Sequence, residues 1–291
     1  MRTLAHILFV LALLACLRGL YLLLLRCRRG NPGWGKLEGR RYAHRGFHDK
    51  PRIPENSLIA FRRAIERGWG AELDVHLLKD GTLAVFHDSD LRRCTGAEGE
   101  IEDLDRAGLS ALRLEGTDEP VPLFDQVLDL FEGKVPLIIE LKAHKGNHRA
   151  LTEAVMARLD RYTGDYCIES FDPRVLMVLR KGHPGVIRGQ LSMDFHRGDE
   201  GLPGWQCFIL RNLLLNFLTV PDFIAYRFED RRRAAPRRCV RIWGAHEASW
   251  TLRRPEDLAA AEADGCLPIF ERFDPAATER RPSPRNAETN A

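Results

Sequence analysis

The sequence predicts an α/β fold, a (β/α)8 TIM barrel with a hairpin after its second strand and one N-terminal transmembrane helix ahead of it. Three observations predict it. Short β-rich runs alternate with helical stretches, the order that builds parallel βα units. Eight such runs can be read, and they fill about 240 residues, the usual size of a single barrel of this kind. The polar residues gather at the C-terminal ends of these runs, where a parallel barrel brings its strand ends to one face.

The chain starts with an apolar run, residues 4–25, LAHILFVLALLACLRGLYLLLL. As a helix it is about 33 Å long at 1.5 Å per residue, enough to cross a bilayer. Arg18 is off-centre and can snorkel. A signal peptide would have a shorter apolar core and a small-x-small cleavage site; none follows 7–17, and 20–25 is apolar again, so an uncleaved anchor is expected. A core helix is the other reading, disfavoured by its extreme position. Arg26, Arg28, Arg29, Lys36, Arg40 and Arg41 follow the span and Arg2 precedes it, which by the positive-inside rule puts the main domain in the cytoplasm. Residues 1–30 are thus an anchor, and 31–39, with Asn31-Pro32-Gly33-Trp34-Gly35, a linker. Residues 40–275 form the barrel, and 276–291 a disordered polar tail.

The expected strands are 42–43, 72–75, 137–141, 167–170, 186–191, 223–226, 240–243 and 268–270. Helices are expected over 57–67, 123–131, 149–159, 173–180 and 255–263, with a weaker one over 211–218. Asp80-Gly81 lies between alternating apolar runs, a strong hairpin signal. A two-residue turn there sets Asp74 directly opposite His87, on one face of the sheet.

Composition narrows the function. Lys+Arg 44 against Asp+Glu 41, a net charge of +3, gives no electrostatic case for nucleic acid. The seven cysteines, Cys16, Cys27, Cys94, Cys167, Cys207, Cys239 and Cys266, are odd in number with no C-x-x-C pair, which argues against a zinc cluster or a disulfide framework. Scattered single cysteines fit a reducing compartment. Nothing points to an organic cofactor or to an oligomeric state.

The chemistry sits at the strand ends. Residues two apart point the same way, so Glu72 pairs with Asp74 and Glu140 with Lys142. Three carboxylates suit a hard divalent ion, Mg²⁺ or Ca²⁺. Arg45 can fork onto phosphate oxygens and Lys142 adds a point charge. His44 and His87 have the chemistry of a general base and a general acid. Each has a plainer reading: His44 a structural histidine, Glu72 and Asp74 a solvated edge, Glu140 and Lys142 a mutual ion pair. Convergence at one barrel face favours the functional reading.

His44-Arg45-Gly46, Pro54-Glu55-Asn56-Ser57, Glu72-Leu73-Asp74-Val75, Lys79-Asp80-Gly81, Val85-Phe86-His87-Asp88 and Ile139-Glu140-Leu141-Lys142, in that order, resemble the glycerophosphodiester phosphodiesterase family, in particular its membrane-anchored bacterial members. Six motifs in order are specific where one alone is not. The resemblance implies a barrel with His44 and His87 as the catalytic pair, Glu72, Asp74 and Glu140 as metal ligands, and Arg45 and Lys142 on the phosphate. The chain departs from the family in PENS for PENT, in Glu271 where the last strand often ends in aspartate, and in the loop 192–205. Asp88 reads as a turn former, and Glu55 and Asn56 as hydrogen-bonding support outside the catalytic set. His144 and His148 read as exposed loop residues, and His183, His196 and His246 as structural or surface residues. The arginines at 231–233 and 237–238 read as a solvated helix face, or as a contact with anionic lipid.

The function expected is metal-dependent hydrolysis of glycerophosphodiesters to glycerol 3-phosphate and an alcohol by general acid/base catalysis. A second reading keeps the chemistry and takes a lysophospholipid, giving lysophospholipase D activity. A third, from another class, is a catalytically silent membrane-tethered scaffold.

Overall fold

The computed structural model describes residues 2–196 and 201–279. Its nine strands are β1 Tyr42–Ala43, β2 Gly70–Leu77, β3 Leu83–Val85, β4 Leu137–Leu141, β5 Tyr166–Ser170, β6 Arg188–Ser192, β7 Phe223–Arg227, β8 His246–Leu252 and β9 Leu267–Phe270. β1, β2 and β4 to β9 pair in parallel from neighbour to neighbour, and β1 closes the ring on β9. This is the expected TIM barrel. β3 lies outside the ring, antiparallel to β2.

Strand alternation sorts the side chains into two layers. Outward residues such as Leu73, Val75, Ile139, Leu141 and Ile168 pack on the crossover helices Leu58–Glu66, Phe124–Phe131, His148–Leu159 and Pro173–Gly182. Ser57 caps the first of these helices, its hydroxyl accepting from the Ala60 N–H at 3.2 Å. Inward residues Tyr42, Ile138, Cys167, Phe223, Ala225, Ala248, Leu267 and Ile269 fill the lower barrel. Gly189 is required among them: a Cβ there would stand 2.1 Å from the Phe223 ring.

Several local expectations are corrected. The seventh strand is His246–Leu252, not 240–243, which is the π-helical turn Cys239–Trp243 continuing the helix Ala234–Arg238. A four-residue apolar run cannot be told from a helical turn by periodicity, and the true strand, HEASWTL, is half polar. The hairpin is also one residue longer than expected. Leu78 N–H donates to the Thr82 carbonyl at 2.9 Å across a three-residue loop whose Gly81 has φ +85°. The register pairs Val75 with Val85, so Asp74 meets Phe86, whose N–H donates to the Asp74 carbonyl at 3.0 Å, and not His87.

The expected linker is packed. Pro32–Lys36 forms a 3-10 turn that closes the barrel floor, with buried Trp34 stacked on His246 at 4.2 Å and tilted against Phe223 at 5.4 Å. The weak helix at 211–218 is instead two short ones, Gly204–Arg211 and Asn216–Thr219. The short helix Pro275–Glu279 runs into the start of the expected tail, and 280–291 lies outside the described residues. The N-terminal helix runs Arg2–Leu24, long and apolar enough to cross a membrane, with no buried residue.

Candidate functional site

The same alternation that fills the floor with apolar groups puts polar ones one step higher. Above Tyr42 stands His44; above Gly70, Glu72 and then Asp74; above Ile138, Glu140 and then Lys142; above Ile269, Glu271. Glu72, Asp74, Glu140 and Glu271 are buried. All seven residues expected from the sequence meet at the C-terminal end of the barrel. Among the carboxylates, Glu72, Asp74 and Glu140 bring one oxygen each within 4.8 Å of one another.

Cations and amides hold this cluster. Lys142 Nζ sits 3.0 Å from Asp74 and 2.8 Å from Glu140, so the Glu140–Lys142 ion pair is real and lies inside the cluster. Arg45 Nε is 3.6 Å from Asp74, and the Arg45 backbone N–H donates to Glu72 Oε2 at 3.0 Å. Asn56, at φ +53°, donates to Asp74 Oδ2 at 2.8 Å. Glu55 accepts from Arg45 at 2.8 Å and Arg93 at 2.6 Å, and pairs with Lys50. Glu55 and Asn56 therefore support the site, as their place in the sequence suggested.

Charge is unevenly shared. Burial raises the Glu72 carboxyl well above its ordinary value, and the charges of Asp74 and Glu140 add to this. Burial pushes Glu140 up to about 7 against the pull of Lys142. Asp74 goes the other way: its burial is outweighed by Lys142, His87 and Arg45, and it lies well below the ordinary range. The three carboxylates are thus short of positive charge.

Each histidine has its own carboxylate. His44 Nδ1 is 2.8 Å from Glu271 Oε2, and His87 Nδ1 bonds Asp88 Oδ1. An ionised carboxylate only accepts, so Nδ1 carries the proton in both and each Nε2 presents a lone pair. His44 Nε2 faces Glu72 at 3.9 Å. Burial lowers the His44 imidazolium to about 4, with Arg45 adding to the effect against the Glu271 bond. Burial and then Lys142 lower His87 too. His76 steadies this arm, with Nε2 3.1 Å from the His87 carbonyl and Nδ1 2.7 Å from Glu102.

Sequence reasoning missed three participants. Glu271 reads from the sequence only as a departure at the end of the last strand, although that position adjoins His44 once the barrel closes. Asp88 was given to the turn, but it also binds Arg93 Nε. Glu169 lies across from Glu140 in the β4–β5 register and is buried, its carboxyl raised well above the ordinary range by that burial and by the Glu140 and Asp74 charges. The alternation that paired Glu72 with Asp74 also sets Glu169 above the inward-facing Cys167.

The profile of the glycerophosphoryl diester phosphodiesterase family matches residues 44–228, which hold every one of these groups except Glu271. The chain belongs to the glycerophosphoryl diester phosphodiesterase family. A glycerophosphodiester phosphodiesterase from Bacillus altitudinis is 34% identical over 170 residues, 54% of this chain and 69% of that one. A lysophospholipase D from Homo sapiens is 31% identical over 125 residues, 38% of each chain. A solved structure of an Oleispira antarctica phosphodiesterase in complex with sn-glycerol-3-phosphate superposes with a TM-score of 0.68 at 19% identity, over 85% of this chain and 98% of that one. The glycerophosphoryl diester phosphodiesterase fold and its enzyme class, a phosphoric diester hydrolase, are therefore those of this chain.

Proposed function

We propose that this chain is a membrane-anchored, divalent-metal-dependent phosphodiesterase that hydrolyses glycerophosphodiesters to glycerol 3-phosphate and an alcohol. The observation that carries the reading is the pair of carboxylate-backed histidines beside a three-carboxylate cluster flanked by Arg45 and Lys142. The donor set fits a hard cation: Glu72, Asp74 and Glu140 offer only oxygen, converge, and are buried with too little positive charge of their own. They would hold Mg²⁺ or Ca²⁺, which when bound supplies Lewis-acid polarisation of the phosphoryl group.

The protein's own groups do the rest. Arg45 and Lys142 orient the phosphoryl oxygens and offset their charge. His44, neutral and with its Nε2 lone pair available, takes a proton from the attacking water. His87 takes the complementary role: Asp88 holds its Nδ1–H, and a proton taken up at Nε2 passes to the leaving alkoxide. The assignment follows from burial: the His44 side chain is 12% exposed and that of His87 28%, so the neutral form is favoured more strongly at His44. The helix Arg2–Leu24 anchors the barrel by a single span, and the basic residues that follow it put the barrel on the cytoplasmic side.

The test is glycerol 3-phosphate release from glycerophosphocholine by the full chain in detergent micelles, with and without Mg²⁺ or Ca²⁺. Release that needs the cation and disappears in His44→Ala and His87→Ala supports the reading. Cation-independent release, or release that survives both substitutions, defeats it. A lysophospholipid substrate is favoured by one observation, the exposed Trp205 and Phe208 on the helix leaving β6; lysophosphatidic acid as product would identify it. Against the silent scaffold stands the convergence of the residues proposed here as acid, base, metal ligands and phosphate holders.

A further inference from the structure

Outside the apolar helix, five large hydrophobic side chains are exposed among the described residues: Met177 at 41%, Trp205 at 64%, Phe208 at 51%, Phe217 at 36% and Ile242 at 38%. Isolated exposed hydrophobics are ordinary, but these are not scattered. Met177 lies on the helix Pro173–Gly182 between β5 and β6; Trp205, Phe208 and Phe217 lie between β6 and β7; Ile242 lies between β7 and β8. These are three consecutive connections, hence one flank of the barrel.

The apolar helix joins the same flank. Leu25 and Cys27, just after it, are buried among Leu213, Ile224, Tyr226, Ala235 and Cys239. Trp243 Nε1 donates to the Leu22 carbonyl at 2.9 Å. Arg238 reaches the Tyr21 hydroxyl at 3.4 Å, its guanidinium 5.3 Å from that ring. Arg28 N–H donates to the Pro221 carbonyl at 2.9 Å, and Arg29 Nε to the Trp243 carbonyl at 2.7 Å. Tyr21, Trp243 and Arg238 at the end of a span are the residue types that mark a lipid–water boundary. The helix therefore leaves the barrel at a defined place: it touches the helix Asn216–Thr219, which carries Phe217, and Arg29 donates to the Ile242 carbonyl.

Charge agrees. Residues 201–221 hold no carboxylate, and 231–243 hold six arginines and none. Arg232, Arg237 and Arg241 are exposed. On Gly204–Arg211, Trp205 and Phe208 share a face, with Arg211 one step further and its guanidinium 5.6 Å from the Phe208 ring.

We propose that this flank lies in the surface of the bilayer that the helix spans, with Trp205, Phe208, Phe217 and Ile242 at the headgroup–acyl boundary and Arg232, Arg237 and Arg241 on anionic lipid phosphates. The inference rests on the anchor reading above. It has a consequence for substrate access: Ser192 Oγ donates to the Leu210 carbonyl and Tyr226 Oη to the Arg211 carbonyl, both at 2.9 Å, which ties the Trp205 helix to the catalytic ends of β6 and β7. The active-site mouth then opens beside the lipid surface.

The test places the full chain in vesicles of phosphatidylcholine and phosphatidylglycerol carrying bromine at defined acyl positions. The difference in tryptophan fluorescence between wild type and Trp205→Phe isolates Trp205. The proposal expects this contribution to be lost to bromine near the headgroup end, to be protected from aqueous iodide, and to regain iodide access in Phe208→Asp. Access to iodide but not bromine, with the protein retained after an alkaline carbonate wash, overturns the flank and leaves the anchor intact. Protection from both quenchers means that a second copy or another protein covers the flank, and also overturns it. Loss of the protein in the wash removes the anchor and the flank together.

Discussion

Glutamine at position 271 changes one atom and should remove most of the activity. In the native site Glu271 Oε2 accepts from His44 Nδ1–H at 2.8 Å while Oε1 accepts from Arg253 Nε at 2.7 Å. Arg253 can only donate, so in Glu271→Gln the amide oxygen turns to Arg253 and the amide NH₂ turns to His44. Two donors cannot face each other. His44 must move its proton to Nε2, the nitrogen that faces Glu72, and the base has no lone pair to offer. A positioned base contributes about 10²–10⁴ in rate, and the wrong-tautomer aspartate-to-asparagine change in a serine-protease triad costs about 10⁴; kcat/KM should fall within that range. Stability should change less. One charge-assisted hydrogen bond is lost, about 1.5–3 kcal/mol, and Arg253 is nearly half exposed, so its share is small. The assay is glycerol 3-phosphate release by the full chain in detergent micelles, with Tm from circular dichroism beside it. Glu271→Asp, which keeps the acceptor, should recover part of the rate. A Glu271→Gln enzyme within about threefold of wild type, a change of less than 1 kcal/mol in barrier, with its fold intact, would refute the reasoning.

Other measurements test the site and the scaffold. Mg²⁺ or Ca²⁺ at about a hundred times its Kd should stabilise the protein by about 2.7 kcal/mol; Glu72→Gln, Asp74→Asn and Glu140→Gln should each abolish that rise in Tm, whatever happens to turnover. Burial would raise the Glu55 carboxyl, but Arg93, Arg45 and Lys50 hold it well below its ordinary 4.5. A folded value below the unfolded one contributes stability that is complete above about pH 4.5 and is lost as pH falls through the folded value, so the acid unfolding of Glu55→Gln should be shallower than wild type below pH 4.5; an equally steep curve would exclude the network. Gly189→Ala drives a methyl to 2.1 Å from the Phe223 ring and should cost about 1–3 kcal/mol in a thermal melt. Phe223→Leu in the same chain should return part of it, and no recovery would mean that the strain lies elsewhere.

The site was largely legible before folding because its residues cluster by position along the strands. Alternation and strand ends are local properties, so His44, Arg45, Glu72, Asp74, His87, Glu140 and Lys142 could be grouped from the chain alone. Eight strand-like runs alternating with helical stretches also sufficed for the barrel, although one of the eight fell on a helical turn. What failed locally was the choice between conformations of nearly equal local preference. The run at 240–243 is as apolar as a strand but winds as a helical turn, and Asp80-Gly81 serves a three-residue loop as readily as a two-residue one. In the second case the error is one residue of register, which turns His87 away from direct opposition to Asp74.

Only closure of the barrel decided the rest. Glu271 and His44 are 227 residues apart and meet because β9 pairs with β1. Trp34 becomes a floor rather than part of a linker because the closed ring leaves an apolar mouth that its indole fills against Phe223 and His246. The five exposed hydrophobics became one flank only when parallel pairing of β5 to β8 set three successive connections side by side. Side-chain periodicity and turn chemistry act over a few residues, and the sequence states them directly. Contacts across hundreds of residues depend on which strands pair, and that depends on the burial gained by the whole ring.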